Sequence, residues 1–298
     1  MTDFRLQVFY TVAKRLSFTK AAAELFITQP AITKHIHELE EQYKTKLFER
    51  NANKITLTEA GLLLLHHVEE IFAIYRNIEF DINALATRQQ GLLRLGASTT
   101  VSQYILSPLL AGFKKKFTDI RVTMVNANTE QIETALLNKE IELGIIEGET
   151  KNKAIKYTRF LKDEIVLVCD AKNALVKKEI ISIDALKEIP LVMRETGSGT
   201  LEVIEHALKP HHLKLSDLQI EINLGSTEGI KSYLMHTSCM AFLSIHAITK
   251  ELKNNELKMV KVDGLQIERF FSFAHLQGKP EPLAEMFMKY ANHHHNLK

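Results

Sequence analysis

Three short runs of glycine and hydroxyl residues stand out for the chemistry they can do: Gly96-Ala97-Ser98-Thr99-Thr100, Thr196-Gly197-Ser198-Gly199-Thr200 and Gly225-Ser226-Thr227. Each follows an apolar, strand-like run and leads into a helical pattern. Hydroxyls and free backbone N–H groups then sit at the positive end of a helix, the arrangement that holds a carboxylate, sulfate or phosphate. Any one of these runs is an ordinary helix cap. Together, at the carboxyl ends of strands where open parallel sheets bind ligands, they predict a site for a small anionic effector. Its lining would be Ser98, Thr99, Thr100, Thr196, Gly197, Ser198, Thr200, Ser226 and Thr227.

A second set of polar residues, Gln29, Thr33, Lys34 and His37, lies along one stripe of a helical pattern. Thr28 can cap that helix, and Pro30 falls in its first turn, where a missing N–H costs little. Ala31, Ile32, Ile36, Leu39 and Tyr43 recur at helical spacing and predict the buried face. The polar stripe is then free, with the hydrogen-bonding types that reach base edges when a helix enters the major groove of double-stranded DNA. A shorter helix before it, capped by Thr19, carries Ala21, Ala22 and Ala23, small enough for close approach of a neighbour. A helix over Asp3 to Arg15 offers Phe4, Val8, Phe9 and Val12 as a third wall. Lys46 to Asn51 and Lys54 to Leu57 read as a two-stranded wing, with Arg50, Asn51 and Lys54 placed to touch phosphates.

Charge agrees with that assignment. Residues 1–57 hold nine basic and six acidic groups, leaving 29 basic and 30 acidic of the chain's 38 and 36. The small positive excess of the whole chain therefore belongs to its N-terminal fifth, the footprint of a phosphate-binding module.

The elements that must position these residues follow in order. From Thr58 to about Gln89 there is no proline, and Leu64, Val68, Ile71, Tyr75, Ile78, Ile82 and Leu85 alternate in steps of four and three. That is the seam of a paired helix about 48 Å long. Dimerisation is the economical reading; folding back on the chain's own effector domain is the alternative. Two reading heads on a two-fold axis recognise an inverted repeat. Beyond Gly91, strands at Leu92 to Leu95, Ile120 to Val125 and Leu143 to Ile146 alternate with helices, a parallel sheet with crossovers. A second copy of the theme runs through Ile165 to Cys169, Leu191 to Met193, Ile220 to Leu224 and Met240 to Leu243. Two similar lobes imply a cleft. Phe270 to Ala274 and the helix from Pro282 to Tyr290 are expected to return to the first lobe, giving two crossing strands at a hinge.

Composition and motifs narrow the classes. With 45% hydrophobic and 25% charged residues and no run approaching the length of a membrane span, a cytoplasmic protein without membrane association is expected. Met1 is followed by polar sequence instead of a basic stub and an apolar core, so no secretory signal is expected. Cys169 and Cys239 read as buried free thiols, with a redox switch as the alternative. There is no G-x-S-x-G elbow, P-loop or G-x-G-x-x-G fingerprint, so no enzyme and no cofactor are expected. His66 and His67 lack metal-ligand spacing, and His211-His212 and His293 to His295 lie in a turn and a tail, so no metal site is expected. Lys114, Lys115 and Lys116 read as a solvated helix face. The rival from another class is a cytosolic solute-binding protein or anion-handling enzyme with an N-terminal assembly module.

The run SFTKAAAELFITQPAITKHIHELE, followed by LFER and LTEAG, resembles the N-terminal domain of the LysR-type transcriptional regulators, densely over about the first 65 positions. The resemblance implies a mixed α+β and α/β chain. A winged helix-turn-helix would occupy 1–57, a linker dimerisation helix 58–89, and a two-lobed effector domain resembling periplasmic binding proteins 90–298. Lobe I would span about 90–162 and 265–298, and lobe II about 163–264. It also implies a homodimer that assembles into a homotetramer and bends promoter DNA, with RNA polymerase as a further candidate partner. By the same resemblance Thr100 is an effector hydroxyl, Thr129 supplies another at the start of the next helix, and Thr196 to Thr200 is the facing loop. RETGSGT, Arg194 to Thr200, is similar to the branch that governs sulfur or carbon assimilation. Thr237 and Cys239 depart from the family pattern, standing where many members carry glycines.

Overall fold

The computed structural model describes residues 3–51, 54–85, 90–149, 151–173 and 180–295, which form two compact units, Met1–Arg88 and Gln89–Lys298. In the first, α1 (Phe4–Arg15), α2 (Phe18–Leu25) and α3 (Gln29–Tyr43) precede the antiparallel pair β1 (Phe48–Asn51) and β2 (Lys54–Leu57), and α4 (Glu59–Leu85) follows. Val8, Phe9, Val12, Ala21, Ile32, Ile36, Leu39, Leu47 and Val68 make one core. The cap of α2 is Ser17, whose hydroxyl accepts from the Lys20 N–H, and not Thr19, which lies inside the first turn. Ser17 has the extended backbone a cap needs. Phe4 is no part of the core wall: it is 41% exposed and meets His35 edge-on. Tyr43 is likewise largely exposed.

The apolar stripe of α4 divides in two. Leu64, Leu65, Val68 and Phe72 pack into the core of their own unit, and Lys14 pairs with Glu69 at 3.0 Å. Entry of α4 is so close that a Cβ on Gly61 would lie 2.1 Å from the Leu47 main-chain oxygen. Farther along, Ile74, Tyr75, Ile78 and Ile82 are exposed. The side chain of Leu85 lies outside the described residues, as do 86–89.

The second unit contains β3 (Gly91–Ser98), α5 (Thr99–Val101), a π-helical turn (Ser102–Leu106), α6 (Ser107–Lys116), β4 (Ile120–Ala127), α7 (Thr129–Leu137) and β5 (Leu143–Ile146). Then come β6 (Ile155–Asp170), β7 (Ile180–Ile181), β8 (Leu191–Arg194), α8 (Gly199–Leu208), β9 (Ile220–Leu224), α9 (Thr227–Leu234) and β10 (Met240–Ser244). The chain closes with α10 (Ile245–Lys253), β11 (Leu257–Val262), β12 (Ile267–Leu276) and α11 (Pro282–His295). The strands run in the order β4-β3-β5-β12-β6-β10-β8-β9, with β11 paired to β6 and β7 to β11. The parallel sets β4-β3-β5 and β9-β8-β10 share one internal order, the first strand in the middle. Two lobes of the same plan are joined by β6 and β12, which pair antiparallel from Ile155 to Ile165 and cross between them. Alternation predicts only Ile165 to Cys169 of β6; its first half, KYTRFLKDE, carries charges at solvent-facing positions and hides a strand of 16 residues. α11 returns to the first lobe, where Phe287 and Tyr290 meet Phe113 edge-on. Lys114 differs from the solvated face expected of it: its ammonium donates to the Thr118 main-chain oxygen and closes the end of α6.

Candidate functional site

The reading helix is built from its cap upward. The Thr28 hydroxyl accepts from the Ala31 N–H at 3.4 Å, Pro30 follows in the first turn, and Ile32, Ile36 and Leu39 turn into the core. Gln29, Pro30, Lys34 and His37 are exposed and Thr33 is partly so. Gln29 and Thr33 form one ledge, the amide of Gln29 donating to the Thr33 hydroxyl at 3.0 Å. Lys34 reaches toward Glu38 at 3.9 Å and His37 toward Glu41 at 3.2 Å, both well solvated. Glu40 ties this helix to the wing, accepting from the Lys46 ammonium and the Leu47 N–H. Burial pushes its carboxyl up, but Lys46 and the N–H groups of Leu47 and Phe48 outweigh that and hold it below the usual range. Arg50 pairs with Ile55 and Asn51 with Lys54 through the backbone; the side chains of Arg50, Asn51 and Lys54 lie outside the described residues. Phe26, at the turn between α2 and α3, is 95% exposed.

In the second unit the ends of β3, β5 and β8 converge. Arg194 closes β8, is buried, and donates from Nη2 to the Thr99 hydroxyl of the other lobe at 2.9 Å while pairing with Glu195. Ser226 caps α9 and accepts from the Gly229 N–H, with Thr100 and Thr227 buried beside their helix starts. Tyr104, in the π-helical turn, donates across the seam to Glu228, and its ring lies 5.2 Å from the Lys231 ammonium. Burial, then Glu228, pushes the Tyr104 phenol far up. Lys231 in turn pairs with Glu228 and Glu251.

Two of the predicted hydroxyls already hold an anion, and it is the chain's own. Ser98 donates to Oε2 of the buried Glu147, and Thr200 donates to its Oε1 at 3.2 Å. Thr129 donates to the Glu147 main-chain oxygen at 2.8 Å. Arg269 completes the group: Nη1 lies 3.5 Å from Glu147 and 2.8 Å from the Thr200 hydroxyl, and Nε donates to Asp163, which also accepts from Ser244. Buried charges persist only when paired and hydrogen-bonded, and here Arg269 sits between two carboxylates. The hydroxyl runs alone pointed past these residues. The missed signal was phase: Asp163 alternates with Leu161, Ile165 and Leu167, and Arg269 with Ile267, Phe271 and Phe273, so both charges fall on the buried face of a strand.

The remaining predicted residues lie at the other end of the seam. Gly197 accepts from the Glu130 N–H at 3.2 Å, Thr196 from the Asn128 amide, and the Glu149 N–H donates to Glu202. A Cβ on Gly199 would lie 2.1 Å from the Glu147 main-chain oxygen, so the lobes touch here backbone to backbone. Beside this contact is a half-open cavity of about 310 Å³ lined by Thr129, Thr196, Gly197 and Ser198 together with Glu130, Glu133, Glu202 and Glu205. Its sign is the reverse of what an anion needs.

Among the described residues, one cluster has metal-ligand geometry: His66, His67 and the neighbouring Glu70, whose ligand atoms lie within 4.8 Å of one another on the exposed side of α4. Spacing of the two histidines alone did not reveal it, because the third group is a carboxylate one turn on. Cys169 and Cys239 are free and buried; burial pushes both thiols up, and Glu221 adds to this at Cys239. No described helix is long and apolar enough to cross a membrane.

Comparison with known proteins gives matches over both units. Residues 4–62 match the bacterial regulatory helix-turn-helix protein, lysR family, and residues 86–296 match the LysR substrate binding domain. The chain is 31% identical over 280 residues to a probable RuBisCO transcriptional regulator of Porphyra purpurea, covering 91% of this chain and 88% of that one. It is 30% identical to the regulatory domain of Synechocystis PCC6803 CcmR, solved in complex with 2-PG, with a TM-score of 0.62 over 68% of this chain and 97% of that one. Full-length CbnR, solved with its target DNA, shares the fold at 17% identity, with a TM-score of 0.66 over 98% of this chain and 99% of that one.

Proposed function

This chain belongs to the LysR family of transcriptional regulators, and on that premise we propose that it reads an inverted DNA repeat as a homodimer whose grip is set by a small anion held between its two effector lobes. Residues 1–57 are the reading head, 58–89 the pairing helix and 90–298 the effector domain, with lobe I at about 90–162 and 265–298 and lobe II at about 163–264. The face of Thr28, Gln29, Pro30, Thr33, Lys34 and His37 enters the major groove, while Arg50, Asn51 and Lys54 follow the phosphates. Exposed Tyr75, Ile78 and Ile82 supply the dimer seam, and dimers associate into a tetramer beside RNA polymerase in the cytoplasm. The protein regulates transcription instead of catalysing a reaction, and it needs no cofactor.

The observation that carries the effector reading is Arg194. It is buried, it spans the lobes to Thr99, and its Nη1 has no hydrogen bond among the described residues. A carboxylate or phosphate there would be held by a guanidinium, by the Thr99 and Thr100 hydroxyls, and by the helix starts at Ser98 and Ser226. The 2-PG complex of CcmR supports an anion of this size, since that domain is a 30% identical relative. Thr129, Thr196, Gly197 and Ser198 border the same seam, and their share in the effector site is in closing it.

Closure changes the angle between paired heads by the effector's differential affinity for the two states. The test is a titration of 2-PG and related small anions into the whole protein on its promoter, with Thr100→Val and Arg194→Met beside it. A saturable change in the DNA footprint that both variants lose supports the reading, and unaltered affinity in Arg194→Met removes it. Deleting residues 1–57 must abolish promoter binding; survival of DNA binding would favour the solute-binding rival.

A further inference from the structure

We propose that the acidic end of the interlobe seam is a second ligand site, taking a small organic cation with two or more ammonium groups. The four carboxylates that face this cavity come as two pairs, Glu130 and Glu133 from α7 of one lobe, Glu202 and Glu205 from α8 of the other. Each pair is spaced three residues apart, so both members lie on one side of their helix. The arrangement is therefore a jaw with like charge on both faces, which costs Coulomb energy when the lobes close unless a cation stands between them.

Ser198 supplies the independent sign of a ligand. It lines the same cavity, is 3% exposed, and its hydroxyl has no hydrogen-bond partner, a state that buried polar atoms in folded proteins rarely keep. An ammonium donor would satisfy it. Helix starts explain one acid each, Glu130 and Glu202 in the first turns of α7 and α8, but not Glu133 and Glu205. The positive group nearby is Lys151, which lies over the Tyr157 ring and donates to the Gly148 main-chain oxygen; Tyr157 donates to Glu133. Burial pushes the Glu133 carboxyl up, against the pull of Tyr157 and Lys151, and Glu202 and Glu130 add to the push.

The spread of the charges selects the class of ligand. No three of these carboxylates bring their oxygens within 4.8 Å of one another, so a bare divalent ion has no shared set of ligands here. A cavity of about 310 Å³ instead suits a short chain with separated charges. By bridging α7 and α8 such a cation favours the closed lobes, the state that an anion at the Arg194 end also favours. The site stands on its own residues and does not depend on that anion.

Spermidine is the probe. Titrated calorimetrically into the full chain at constant ionic strength, it should bind saturably at one site per chain. Glu130→Gln with Glu205→Gln, one exposed acid from each lobe, should weaken it about tenfold or more, and Ser198→Ala severalfold, with the unliganded melting temperature kept. Equal affinity in the double variant would overturn the proposal, as would Mg²⁺ binding that matches spermidine in strength and in sensitivity to the variants. So would a heat of binding that disappears once ionic strength is held.

Discussion

Arg269 and Asp163 are register partners on the two crossing strands, with Nε 2.7 Å from Oδ2 and side chains 1% and 0% exposed. Removing one partner leaves an uncompensated charge in the interior. Arg269→Ala should destabilise the effector unit by about 3–5 kcal/mol, seen as a lower melting transition of that unit in calorimetry. Asp163→Leu with Arg269→Met should cost clearly less, and a single-variant loss under about 1 kcal/mol would show the pair to be incidental.

Gly199 is where the lobes meet most closely, and Ala at this position cannot coexist with the Glu147 carbonyl. Gly199→Ala should force the seam apart at a cost of about 1–3 kcal/mol. Hydrogen exchange reads this directly at the Glu130 and Glu149 amides, which bond across the seam to Gly197 and Glu202. Their exchange should speed up about tenfold or more while amides of β3 stay unchanged.

At the reading head, Gln29→Ala should weaken binding to the specific operator by about 1–3 kcal/mol and leave affinity for random DNA nearly intact. Competition binding at one fixed salt concentration separates the two. An equal loss on both would make Gln29 a phosphate contact.

The exposed residues Ile78 and Ile82 give the dimer a measurable handle. Ile78→Asp with Ile82→Asp should weaken association by about a hundredfold or more, because two carboxylates would be buried at the seam. Sedimentation should then show monomers with an intact helix-turn-helix unit. A dimer of unchanged strength would place the interface elsewhere.

Glu40 makes the reading head acid-sensitive. Its folded carboxyl lies below the ordinary value of 4.5, so it binds a proton more readily unfolded than folded. Its contribution is complete above that ordinary value and drains away as the pH falls through the lowered one. Glu40→Gln should reduce stability of the first unit near neutral pH and flatten its decline in acid, measured by denaturation across that range.

The sequence was most readable where the period of the pattern and the environment agreed. Ile32, Ile36 and Leu39 mark the buried side of α3, and β5 and β9 were bounded to the residue, because a short apolar run between helices admits one reading. β11 was not seen: in LKMVKV the apolar and charged residues alternate over a strand that covers β6, and no turn signal separates it from α10. The cap of α2 went to the wrong hydroxyl because Ser17 and Thr19 are equally good caps by type, and only backbone conformation tells them apart. At the cleft, the hydroxyls were visible and their partners were not. Glu147 and Arg269 are 122 positions apart, and no local pattern announces that one will complete the other. The four glutamates of α7 and α8 each look like solvated helix surface until two lobes bring them face to face.

The split stripe of α4 has a mechanical consequence. Its first turns are embedded among Leu64, Leu65, Val68 and Phe72 in the mass that carries the probing helix, so rod and head are one solid piece. Torque applied farther along the rod is delivered to the groove as rotation, with no joint on the way to absorb it.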